Sequence, residues 1–225
     1  MDNCTIASPI KKQCLTTSES GKLLTGTIIS LWFLCEAWDK SIAHHQSRVA
    51  CLAHAIAGAM DIPEENRHEI YMAALVHDIG KMALPRQLLN KPTYLDDDEH
   101  KEIQKHCRAG YATLTLMGVT LPIAEAVLQH HERVNGSGYP NGVRDSALTL
   151  EARIICVADV IEAMISHRPY RQSLSLDAAL AEIVGNREIL YDASVVDACL
   201  QLLMQGSYNF SHLLFRNVGR TVRDG

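Results

Sequence analysis

Turn-forming and aromatic residues are scarce in this sequence: 13 Gly, 7 Pro, 3 Phe, 2 Trp and 7 Tyr among 225 residues. That composition suits packed helices far better than a β-sandwich or barrel, which needs frequent turns and many aromatic and β-branched positions. No run of five like charges occurs, and 26 acidic against 21 basic residues leave a net charge of −5. Duplex nucleic acid is bound by clustered Lys and Arg that neutralise phosphates, so the balance argues against such a partner. Any anionic ligand must be caught by a local arrangement. The seven cysteines (Cys4, Cys14, Cys35, Cys51, Cys107, Cys156, Cys199) are odd in number and include no CxxC pair. In a chain long enough to build a core without staples they read as reduced thiols of a cytoplasmic protein. No apolar run is long enough to span a bilayer, and Thr25, Gly26, Thr27 and Ser30 interrupt the nearest imitation, Leu23 to Cys35. No membrane partner is therefore expected.

What is present is helical periodicity. Apolar residues recur at helix spacing over about 21–38, 44–60, 64–79, 97–117 with a break, 121–132, 149–166, 176–185 and 194–205, and no segment alternates as a strand does. Pro63 before Glu64 and Glu65, Thr120 before Pro122, and Thr149 before Glu151 are helix-start signals; Gly80 and the loop Asn135–Gly142 are the clearest stops. The pattern predicts one all-α domain over 21–205. A flexible N-terminus covers 1–20, and a tail of unreadable fold covers 206–225.

Eleven histidines is a generous count, and the informative ones fall on apolar helix faces, where an unpartnered imidazole is costly. His45 shares a face with Val49, Leu52 and Ile56, with His44 as its competitor. His77 and Asp78 close the stripe of Ile70 and Ala74; His106 follows Ile103 by three, with Gly110 four further on allowing close approach. His130 and His131 follow Ile123 and Val127, and Asp159 lies between Ile155 and Ala163. His54, His68, His100, His167 and His212 lack that support and read as surface or capping groups. A single inward histidine is usually a hydrogen-bonded core residue. Five imidazoles and two carboxylates converging from several helices do not readily satisfy one another, whereas divalent cations neutralise them together.

A carboxylate has two oxygens and can bridge two cations, which makes Asp78 the natural shared ligand. One metal then takes His45, His77, Asp78 and Asp159, and the other Asp78, His106, His130 and His131. Mixed nitrogen and oxygen ligation favours iron or manganese, with zinc the weaker expectation.

The run HDIGK at His77–Lys81 resembles the signature of the HD phosphohydrolase superfamily. Further motifs narrow the resemblance: His45, Arg48 and Val49 as H-x-x-R-V, LLNKP at Leu88–Pro92, His106 with Gly110, HHERVNGSGYPNG at His130–Gly142, and VADVIEAMISHRPYR at Val157–Arg171. In this order they resemble the HD-GYP subfamily, bacterial phosphodiesterases that degrade cyclic di-GMP, over roughly residues 30–205. The resemblance implies an all-α HD-domain bundle with a buried metal centre of iron or manganese, and linear pGpG or GMP as product. It places the ligands on His45, His77, Asp78, His106, His130, His131 and Asp159, the seven positions found from periodicity. Ser41 stands where members with a third metal carry Glu, so two divalent ions are expected; Glu36 and Asp39 read as a solvated helix end.

The resemblance also implies that Asp78 and Lys81 are catalytic, and that Lys81, Tyr139, Arg168 and Arg171 bind the cyclic dinucleotide. Arg geometry suits phosphate oxygens through paired donors. A GGDEF-domain protein docking on the Gly138-Tyr139-Pro140 loop is an implied partner. Two departures stand out: Asn135 replaces a common Asp before the GYP element, and Cys107 replaces a common Pro. Neither removes a ligand. Three alternatives stay open: hydrolysis of 3′,3′-cyclic GMP-AMP, a non-catalytic cyclic di-GMP sensor, and a general HD nucleotidase, which would leave His106, His130, His131 and the GYP loop unexplained.

Overall fold

The computed structural model describes residues 18–166, 173–204 and 208. Its elements are α1 (Glu19–Trp38), α2 (Lys40–Ala59), α3 (Glu64–Leu75), a 3-10 segment (Ile79–Ala83), α4 (Arg86–Leu89), α5 (Asp97–Leu116), α6 (Leu121–Gln129), a second 3-10 turn (Asp145–Ala147), α7 (Leu150–Ile165), α8 (Leu176–Gly185) and α9 (Ala193–Met204). No strand forms among the described residues, so the all-α expectation holds. No described helix is long and apolar enough to cross a membrane. The five described cysteines, Cys35, Cys51, Cys107, Cys156 and Cys199, are free.

Helix α2 is the axis of the bundle, packed against α1, α3, α7 and α9. Its buried face, Val49, Leu52, Ala53 and Ile56, meets Ile70, Ala73 and Ala74 of α3 and Ile154, Ile155 and Ile161 of α7, all nearly without solvent exposure. Helix starts follow local chemistry. Asp39 caps α2 by accepting from the Ser41 and Ile42 amides, and Asp96 and Glu99 form a reciprocal capping box on α5. Thr149 accepts from the Ala152 amide at 3.2 Å and opens α7, the helix that carries Asp159. Thr149→Ala removes that acceptor and is expected to lower unfolding free energy by about 1 kcal/mol in urea titration.

Several details differ from the periodicity, among them the start of α2 at Lys40 rather than 44. α3 ends at Leu75 rather than 79 and α6 at Gln129 rather than 132, so His77, Asp78, His130 and His131 sit on tight turns just beyond helix ends. The break expected within 97–117 is absent: α5 runs unbroken for 20 residues through Gly110.

Candidate metal centre

Four of the five histidines present the same nitrogen inward, three of them for a local reason. Nδ1 of His77, His106 and His130 lies 2.7 Å from the carbonyl oxygens of Ala74, Ile103 and Val127 respectively. A carbonyl only accepts, so each Nδ1 carries the proton and each Nε2 is left with a lone pair aimed into the site. His45 is turned the same way by a carboxylate instead: its Nδ1 donates to Glu162 Oε2. His131, partly buried, places Nδ1 3.9 Å from Asp159 Oδ2.

Asp78 lies between two sets of these nitrogens. Its Oδ2 is 3.8 Å from His45 Nε2 and 3.5 Å from His77 Nε2, while its Oδ1 is 3.3 Å from His106 Nε2 and 3.9 Å from His130 Nε2. Asp159 Oδ1 faces the first set, 3.0 Å from His45 Nε2 and 3.9 Å from His77 Nε2. Two groups result, one of His45, His77 and Asp78, the other of Asp78, His106, His130 and His131; within each, the potential ligand atoms lie within 4.8 Å of one another.

The donor set fits a divalent cation. Nε2 of His106 and of His130 are 3.3 Å apart, each with its proton committed to Nδ1, so two lone pairs face each other. Protonating a ring would relieve that conflict, but burial pushes the pKa of His106 down and that of His130 well down. His77 Nε2 and Asp78 Oδ1 are also buried without a hydrogen-bond partner. Cations held by the two groups would satisfy these atoms together. Burial opposes charge on Asp78 as well, yet the Lys81 ammonium 2.6 Å from Oδ2 and the surrounding imidazoles hold its pKa well below the usual range. Burial likewise opposes charge on His45, but Glu162 and Asp159 raise its pKa to about 9.

The GYP element rests directly on this centre. A methyl group on Gly138 would lie 2.4 Å from Glu132 Cα and 2.5 Å from the His131 carbonyl, so only glycine lets the loop pass so close. The turn lays the Tyr139 ring on the His131 ring, with centroids 4.7 Å apart at 34°. Arg108, two residues after His106, reaches the Pro140 carbonyl and Asn141 Oδ1. Asn135 Oδ1 accepts from the Ser137 amide and hydroxyl, a turn that an Asp would make equally well. Cys107 is fully buried beside His106.

The seven expected ligands thus converge, with Lys81 and Tyr139 at the rim. Arg168 and Arg171 lie outside the described residues, as do His167, His212 and nearly all of the expected tail. His44 is not inward but half-exposed, 3.5 Å from Glu36. Asp39 is the α2 cap, while His68 Nε2 meets Thr25 Oγ1. Two buried carboxylates escaped the sequence reading. Glu162 is fully buried behind His45, and Glu132 is buried with Oε1 accepting from the Asn141 and Gly142 amides. A signal existed for Glu162 in its spacing, three residues after Asp159 on one helix face.

Residues 36–195 match the family described as HD domain. The cyclic di-GMP phosphodiesterase response regulator RpfG of Xanthomonas campestris pv. campestris is 42% identical over 159 residues, covering 68% of this chain and 41% of that protein. The 3′3′-cGAMP-specific phosphodiesterase 1 of Vibrio cholerae is 38% identical over 136 residues, covering 60% of this chain and 32% of that protein. The chain spans less than half the length of these curated relatives. Among solved structures, the HDG"Y"P protein Bd1817 of Bdellovibrio bacteriovorus shares the fold at a TM-score of 0.62 and 20% identity, covering 74% of this chain and 53% of that one.

Proposed function

This chain belongs to the HD-domain family, in its HD-GYP branch, and on that premise we propose that it is a metal-dependent phosphodiesterase hydrolysing cyclic di-GMP to pGpG or GMP in bacterial second-messenger signalling. The observation that carries the reading is the shared carboxylate: Asp78 turns one oxygen to each of two groups of lone-pair-bearing imidazoles. In this reading His45, His77, Asp78 and Asp159 hold one divalent ion and Asp78, His106, His130 and His131 the other, with iron or manganese favoured by the mixed donor set. Such ions supply Lewis acidity toward water and the phosphodiester.

The chain's own residues do the rest. Asp78 fixes the spacing of the two halves, and Lys81, its Nζ beside Asp78 Oδ2, sets a positive charge and a proton donor where the 3′ oxygen leaves. Tyr139, seated on His131, offers an aromatic face for the nucleotide at the rim. Arg168 and Arg171 are proposed to take the second phosphate through paired donors. Asn135, Ser137 and Asn141 expose the outer side of the GYP loop, the face proposed for a GGDEF-domain partner.

The test is anaerobic reconstitution with iron(II) or manganese(II), incubation with cyclic di-GMP, and chromatography of the nucleotides beside a metal-stripped sample. Linear pGpG or GMP from the loaded protein alone is expected. Full metal occupancy without product overturns the reading for this substrate. The relative specific for 3′3′-cGAMP supports a second reading within the same chemistry, and faster turnover of 3′,3′-cyclic GMP-AMP in the same assay would select it.

A further inference from the structure

Glu162 sets His45 apart from the other inward histidines. His77, His106 and His130 are oriented by backbone carbonyls, whereas His45 donates Nδ1–H to a carboxylate with no solvent exposure. That carboxylate is itself held. Arg48 Nε and Ser166 Oγ both donate to Glu162 Oε1 at 2.5 Å, leaving Oε2 to His45. The two helices contribute in a crossed pattern. α2 supplies His45 and, three residues on, Arg48, while α7 supplies Asp159 and, three residues on, Glu162. A buried carboxylate without partners would be expensive, so a fully bonded one at this position marks an arrangement built around His45.

Resting on the metal-centre reading above, we propose that Glu162 is the positioning residue of His45, holding its Nε2 toward Asp78 and Asp159 and making the His45–His77–Asp78–Asp159 half the tighter of the two cation sites. The charge distribution points the same way. Carboxylates flank His45 on both ring nitrogens, Asp159 Oδ1 3.0 Å from Nε2 and Glu162 Oε2 on Nδ1, whereas the second group meets Asp159 only at His131 Nδ1, 3.9 Å from Oδ2. A carboxylate behind an imidazole raises its basicity as a ligand and fixes its tautomer, and loss of such a partner costs about 10–100-fold in metal affinity.

The test titrates the full chain with manganese(II), reading free manganese by electron paramagnetic resonance. Wild type is expected to bind in two unequal steps. Glu162→Gln is expected to weaken the tighter step about 10–100-fold and leave the weaker one unchanged. Turnover at saturating metal is expected to stay within about threefold of wild type, since the residue acts through His45 and touches no reacting group. In zinc-loaded, 15N-histidine-labelled protein, the far-downfield proton of His45 Nδ1–H is expected in wild type and absent from the variant. If Glu162→Gln fails to fold, Arg48→Lys, which unlocks Glu162, is expected to give a smaller loss at the same step, and an unchanged step overturns the proposal. Unchanged steps in folded Glu162→Gln, or equal loss at both, overturn it while leaving the metal-centre reading intact. No manganese binding by wild type overturns that reading and this proposal together.

Discussion

Asp78→Asn is expected to lower kcat/KM for the cyclic dinucleotide by about 10³-fold or more, roughly 4 kcal/mol of transition-state stabilisation. The substitution keeps the shape but exchanges one charged oxygen for an amide. Both groups of imidazoles then lose the anion that stands between them, because Oδ1 faces His106 and His130 while Oδ2 faces His45 and His77. Metal content should fall with activity. Saturating manganese(II), which at a hundred times its dissociation constant raises unfolding free energy by about 2.7 kcal/mol through mass action, should stabilise wild type and have little effect on the variant. Elemental analysis, thermal denaturation with and without metal, and steady-state kinetics check the three parts separately. A variant that retained two ions and near-normal turnover would remove Asp78 from the centre of the mechanism.

Gly80→Ala is expected to be the most damaging single methyl group in the described chain. Its Cβ would lie 2.0 Å from the His106 carbonyl oxygen and 2.5 Å from the Gly110 amide nitrogen, both backbone atoms of α5 that cannot rotate aside. The 3-10 segment carrying Gly80 follows Asp78 directly, so relief of the clash must separate the dyad from His106. A loss of about 3 kcal/mol in urea unfolding is expected, at the upper end of what overpacking costs. Gly26→Ala provides the internal contrast. A methyl group there meets nothing within 4 Å in the interior of α1, so helix propensity should make it stabilising by up to about 1 kcal/mol. Equal effects from the two substitutions would mean that the contact between the dyad turn and α5 is not as tight as described.

Much of the bundle was legible because its helices are amphipathic. A spacing of 3.6 separates buried His45, in line with Val49, Leu52 and Ile56, from exposed His44 one residue away. The reading failed at helix ends. His77 and His130 turned out to be buried, yet not because helices α3 and α6 continue through them; each helix stops first, and a turn aims the ring while the carbonyl three residues back holds Nδ1. The break expected within 97–117 is also absent, although Gly110 in the interior of α5 disfavours helix there. Packing against Gly80 overrides that preference, since the close approach requires a residue without a side chain. Glu162 and Glu132 were missed for a different reason. A glutamate on a helix or in a polar loop ordinarily faces water, and nothing nearby in the chain announces that Arg48, 114 residues earlier, will neutralise one of them.

Residue type and spacing along single helices were therefore enough to establish an all-α bundle and to name the seven inward groups, because burying an imidazole or carboxylate on an apolar face is costly enough to signal a purpose. Which oxygen of Asp78 serves which group, and what stands behind His45, follow from contacts between elements distant in the chain. Those contacts are set by how helices remote in sequence pack against one another, and no periodicity within a segment encodes them.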